Sequence, residues 1–117
     1  EKGLYVPNWN TVLAAKSVAV VFGTIDAVLL AQDGFPVVTP PYGLNAKPER
    51  FSKIRSNLIV IPDLGEEWAA SKLAYALDWR GDVRTLPYPD GCKDVADMYA
   101  YEHNRKILRR CIRLWLK

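Results

Sequence analysis

The chain has 117 residues, half hydrophobic and a quarter charged, which is enough for one soluble domain with one core. No apolar run approaches the roughly 20 residues that a membrane span needs; the longest, Val18 to Phe22, is strand-sized. The net charge of +3 is uneven: residues 102–117 hold six Lys/Arg and one Glu (+5), whereas residues 1–101 hold ten basic and twelve acidic groups (−2).

Ser17 to Phe22 is a continuous apolar run, the pattern of a strand buried on both faces. Gly23 breaks it. Thr24 is placed to cap a short helix from Ile25 to Asp33, and Gly34 to stop it. Phe35 to Thr39 reads as a second strand, closed by Pro40-Pro41-Tyr42-Gly43. Asn45 to Arg55 is polar and predicts a short helix after a turn.

Leu58 to Ile61 is a third strand, and Pro62-Asp63-Leu64-Gly65 is its loop. A helix follows from Glu66 to Arg80, with Ala70, Leu73, Ala74 and Leu77 on one stripe and Gly81 at its end. Glu66 and Glu67 suit the positive end of its dipole. Asp82 to Leu86 is a fourth strand, Pro87 to Lys93 a loop, and a last helical region runs from Asp94 to the end, with a break near Tyr99.

Strands alternating with helices predict right-handed βαβ units and a mainly parallel, four-stranded, Rossmann-like α/β sheet flanked by helices. Ligands of such sheets bind beyond the carboxyl ends of the strands. The loops at Gly23, Pro40–Gly43, Asp63–Gly65 and Pro89–Lys93 should share that edge.

Cys92 and Cys111 have no metal-ligand spacing, and His103 is the lone histidine. A Cys/His zinc site and Ser-His-Asp or Cys-His catalysis are therefore not expected, and two reduced thiols in a cytoplasmic protein are. No signal peptide is expected. The chain opens at Glu1 rather than Met, which predicts an excised piece whose function depends on missing neighbours.

Three loops carry the chemistry: Phe22-Gly23-Thr24-Ile25-Asp26-Ala27, Pro62-Asp63-Leu64-Gly65-Glu66-Glu67, and Gly91-Cys92-Lys93-Asp94-Val95-Ala96-Asp97. In order and spacing, from about Leu4 to Tyr101, they resemble the TOPRIM domain, most closely that of bacterial replicative DNA primases and phage primase-helicases. That family pattern is a strand ending in Glu-Gly with Asp-Ala after it, a strand ending in Asp-x-Asp, and a Gly-Lys-Asp-x-Asp stretch. Gly23, Asp26, Ala27, Asp63, Lys93 and Asp94 match, and Gly43 stands where a loop glycine belongs. Phe22 replaces the family's catalytic glutamate, Gly65 the second aspartate of Asp-x-Asp, and Ala96 the last aspartate, with Asp97 beside it.

The resemblance implies a domain over residues 1–101, with residues 102–117 as a basic amphipathic helix packed on it or extending it. It implies a DNA replication or mobile-element protein that binds nucleic acid or nucleotide, alongside other domains of a larger primase-like protein. Catalysis is expected to be weak or lost, because Phe22 can neither transfer a proton nor ligate Mg²⁺. Asp26, Asp63, Asp94 and Asp97 are the candidate ligands of one weakly bound Mg²⁺. Lys93, Arg105, Arg109, Arg110 and Arg113 are the candidate nucleic-acid contacts.

Plainer readings stand beside these. Asp63 can cap the helix after it, Asp26 can be a first-turn charge, Asp94 and Asp97 can start the last helix, and Lys93 can be a solvated loop charge. The basic tail can be a packed helix with a solvated face, its apolar row being Ile107, Leu108, Cys111, Ile112 and Trp115. The rival functions are an active Mg²⁺-dependent nucleotidyltransferase or nuclease in which Glu66 or Glu67 restores the site, and a purely structural interaction domain.

Overall fold

The computed structural model describes residues 3–40 and 46–117. Four strands, β1 (Ser17–Val20), β2 (Val37–Val38), β3 (Asn57–Val60) and β4 (Gly81–Val83), form one sheet in the order β2-β1-β3-β4. Every pairing between neighbours is parallel. The fold is thus α/β, with helices on both faces of the sheet, as the alternation of elements predicts.

Period-two alternation sorts the side chains. Ala19, Val21, Ile59 and Ile61 face one side, where they bury Ala27 and Leu30 of α2 (Thr24–Gln32), Val95 and Met98 of α4 (Val95–Tyr99), and Leu108 and Ile112 of α5 (Glu102–Trp115). Val18, Val20, Leu58 and Val60 face the other side. There they meet Val12 of α1 (Trp9–Ala14), Phe51, and Ala70, Leu73 and Ala74 of α3 (Glu67–Ala76). Complete burial of a Leu or Ile side chain contributes about 1.5–3 kcal/mol, so Leu108 and Ile112 make α5 part of the core.

Several boundaries differ from the sequence reading. Helix α1 lies where no element is expected, and Thr39, the end of the expected second strand, forms only an isolated antiparallel bridge with Tyr5 beyond β2. Asn8 makes α1 possible: its Oδ1 accepts the Thr11 N–H at 3.2 Å. Thr24 is not the cap of α2; the N-cap is Gly23, without a side-chain hydrogen bond, and Thr24 is the first helical residue. Gly34, at φ +87°, stops α2 as expected.

Asn45 and Pro41–Gly43 lie outside the described residues, and the polar stretch after them supplies only a 3₁₀ turn, Pro48–Phe51. Helix α3 ends at Ala76, short of Arg80, because Asp78 takes a left-handed φ of 61° and opens a separate 3₁₀ turn, Asp78–Arg80. Strand β4 consequently starts at Gly81 and ends at Val83, earlier than the expected 82–86. The break near Tyr99 divides α4 from α5.

The strand order reverses between β1 and β3. Connection α2 leads outward from β1 to β2, and α3 leads outward from β3 to β4 on the opposite face. The carboxyl ends of β1 and β3 therefore form the topological switch point, where this class of sheet opens a crevice.

Candidate functional site

Four loops meet at that edge. The Gly23 N–H donates to Thr39 Oγ1 (3.0 Å), joining the loop after β1 to the end of β2. The Leu64 N–H donates to the Lys93 carbonyl (2.8 Å), joining the loop after β3 to the segment before α4. Tyr88 crosses the same gap, its hydroxyl donating to the Pro62 carbonyl (2.8 Å).

Asp26 sits in the first turn of α2, as one reading of the sequence has it, but is only 5% exposed. Its Oδ1 accepts the Ala96 N–H at 2.9 Å. A Cβ on Gly23 would stand 3.1 Å from Asp26 Oδ2, so glycine leaves that carboxylate room. Asp94 is the N-cap of α4, its Oδ1 accepting the Asp97 N–H (2.8 Å), while Asp97 Oδ2 accepts the Lys93 N–H (2.9 Å). This reciprocal arrangement is close to a capping box. Both aspartates start the last helical region while still facing the edge.

Asp63 does not cap α3: the N-cap is Glu66, with no side-chain hydrogen bond. The Glu66 N–H instead donates to the Asp63 carbonyl (3.1 Å), and Gly65 has φ +86°, which makes Asp63–Glu66 a type II turn. Such a turn requires a positive φ at its third residue. That is why glycine, rather than the second aspartate of the TOPRIM pattern, suits position 65.

The carboxylates are near enough to perturb one another. Burial pushes Asp63 up to about 7, and the charges of Asp26, Glu66, Asp94 and Asp97 add to it. Burial likewise raises Asp26 to about 6, against the lowering by the Ala96 N–H and with further raising by Asp94 and Asp97. Tyr88 is raised above its ordinary range by burial and by the nearby carboxylates, Asp63 first. Tyr88 and Thr39 carry no motif signal in the sequence; their role as braces depends on the pairing of distant loops.

Among the described residues, no three His, Cys, Asp or Glu side chains are placed to enclose a metal ion. Asp26, Asp94 and Asp97 each use one carboxylate oxygen on a backbone N–H. Nothing at position 22 extends the set. Phe22 packs partly buried against the cluster of Val12, Val18 and Val20, on the α1–α3 side of the sheet.

The basic candidates do not act alike. Lys93 and Arg110 are exposed, as is Arg113. Arg109 Nε donates to Asp33 Oδ2 at 2.8 Å, and the Tyr99 hydroxyl donates to the same oxygen. Burial works against charging Asp33, but these hydrogen bonds and the Arg109 and Arg113 charges outweigh it and hold the carboxyl below its ordinary value. Arg109 therefore clasps α5 to the end of α2. Arg105 is half-buried, with Nε buried and without a hydrogen-bond partner. Cys92 and Cys111 are both free thiols.

The chain matches no protein-family model and no curated protein. It is similar to a primase domain from the solved structure of the bacteriophage T7 lagging-strand DNA polymerase interacting with primase domains of two gp4 subunits bound to an RNA/DNA hybrid and dTTP. The TM-score is 0.54 at 25% identity, over 80% of this chain and 52% of that one. The α/β architecture is thus primase-like, matching a TOPRIM-like fold. The chain spans about half the length of that solved chain. No helix among the described residues is long and apolar enough to cross a membrane.

Proposed function

We propose that the chain is a primase-like TOPRIM domain of a DNA replication or mobile-element protein. It binds nucleic acid or nucleotide with weak or lost Mg²⁺-dependent catalysis. One observation carries this reading: on a primase-like fold, Phe22, two residues past the end of β1, packs against an apolar cluster, while Asp63 is perturbed by the charges of Asp26, Asp94 and Asp97.

Asp63 and Asp94 would hold a single Mg²⁺, with Asp26 or Asp97 joining them. A bound ion would supply positive charge to a phosphate at the edge. Lys93, exposed beside Asp94, would pair with the same phosphate. On this reading residues 1–101 are the body, and helix 102–117 offers its outward cations, led by Arg110 and Arg113, to a nucleic-acid backbone. The resemblance to half of a longer primase chain supports partner domains in the native protein and a cytoplasmic setting.

A second reading has its own support. The Glu66 charge reaches Asp63, and Glu67 Oε2 accepts the Gly65 N–H at 3.3 Å, so the start of α3 brings carboxylates near the place that Gly65 leaves empty. An active nucleotidyltransferase or nuclease would use them. A metal-dependent nucleotidyl-transfer and nuclease assay on the unmodified chain separates the two readings. Background rates with Mg²⁺ and Mn²⁺ are expected; turnover abolished by Asp63→Ala would establish the second.

A further inference from the structure

Three strongly exposed aromatic side chains lie on α3 and just past its end. Trp68 and Trp79 are each 74% exposed and Tyr75 is 89% exposed, with exposed Lys72 between them. Positions 68, 72 and 75 follow one face of α3, and Trp79 lies beyond its end, in the 3₁₀ turn that Asp78 opens. Lys72 lies over the Trp68 ring, 4.8 Å from its centre. Aromatic side chains of this size are normally covered when they form a row. The surroundings are mildly acidic: residues 63–84 hold five Asp/Glu and three Lys/Arg, a balance of −2, with Arg84 paired to Asp82. A polyanion is therefore a poor occupant.

The opposite side of the molecule carries the complement. Lys106, Arg110, Arg113 and Lys117 are exposed along α5 and just past its end, with Leu114, 63% exposed, beside them. Within the helices, the spacing of 106, 110 and 113 repeats that of 68, 72 and 75. Helix α3 packs on one sheet face and α5 on the other, so one copy cannot bring its own two rows together.

We propose that the aromatic row of α3 and the cationic row of α5 are the two halves of a head-to-tail contact between copies of this chain. Guanidinium and ammonium groups stack on Trp and Tyr faces, and the acidic surround of α3 favours the same approach. Because the two surfaces differ, the contact is heterologous: each copy retains one free face, and association continues unless the rotation closes a ring. Arg110 and Arg113 are also the cations proposed above for a nucleic-acid backbone, so DNA would compete with this contact.

Sedimentation velocity of the full chain over a concentration series, at low and high salt, tests it. Mass above the monomer is expected at low salt and should fall as salt rises. Trp68→Ala with Tyr75→Ala should weaken association by roughly tenfold or more, and so should Arg110→Glu with Arg113→Glu. Unchanged circular dichroism establishes that each variant is folded, and Arg110→Gln with Arg113→Gln replaces the charge reversal if it is not.

The distinguishing result is complementation. The two defective variants, mixed, should form a dimer and nothing larger, because each supplies the face that the other lacks. A monomer at every concentration overturns the proposal. So does association that survives both variants, or that needs the aromatic row but not the arginines, which would mean a symmetric α3–α3 contact. A monomeric chain whose single-stranded DNA affinity falls with Trp68→Ala would make the row a base-stacking surface instead, and would also overturn it.

Discussion

The Ala96 N–H donates to Asp26 Oδ1 at 2.9 Å, across seventy residues of sequence, and fixes the start of α4 to the first turn of α2. It holds the loop bearing Asp94 and Asp97 against the switch point. Asp26→Ala leaves a part-buried N–H without its acceptor and should cost about 1–3 kcal/mol in urea unfolding. Asp26→Asn keeps an acceptor oxygen and removes a buried charge, so at pH 8 it should be far milder or even stabilising. Equal losses in the two variants would show that the charge, not the acceptor, matters.

Stability should fall as pH rises through the range where Asp63 and Asp26 ionise. Both bind protons more tightly in the folded chain, at about 7 and about 6, than at their ordinary value of 3.8. Their contribution is complete below about 4 and is lost as pH rises toward 7. Asp63→Asn should flatten the wild-type decline between pH 5 and 8 by on the order of 1 kcal/mol, after allowance for solvent screening. The measurement is a set of urea midpoints without divalent cation, and Mg²⁺ should restore part of the loss in wild type alone.

Phe22→Glu with Gly65→Asp returns two carboxylates to the edge. Each has a structural cost: Phe22 loses its apolar packing, and Asp at φ +86° adds about 1 kcal/mol of backbone strain. The double variant should therefore be less stable than wild type yet bind Mg²⁺ more tightly, as read by calorimetric titration. Unchanged Mg²⁺ affinity in a folded double variant would show that these positions do not face the ion.

The role of α5 cannot be tested by deleting residues 105–117, because Leu108 and Ile112 are completely buried. Truncation should unfold the chain, since removing even one such side chain costs about 2–5 kcal/mol. Arg109→Gln should lower the melting temperature through loss of the Asp33 clasp, with little effect on DNA affinity. Thermal melts and DNA titrations of the same sample separate the two effects.

Much of this was legible in the residues. Apolar runs ended by Gly or Pro place four strands, and parallel α/β physics puts their following loops on one edge. Helix α1 was missed because Trp9–Ala14 has no strong period and depends on a local Asn8 cap. The early end of α3 was missed because Asp78 stops the helix in a left-handed conformation more typical of glycine. The aspartates could be named but not their hydrogen bonds: whether Asp26 is exposed or buried depends on α4 arriving from seventy residues away. The split between Arg109 and Arg110 is likewise tertiary, since Asp33 belongs to another element.

Binding of labelled single-stranded DNA, followed by fluorescence anisotropy across a salt series, tests the central claim most directly. The account predicts measurable affinity at low salt and a linear fall of log K with log salt. The slope should be about −0.7 for each phosphate contacted, and Arg110→Gln with Arg113→Gln should make it shallower by about one to two contacts. Absence of binding at low salt, or a slope untouched by those two substitutions, would contradict it.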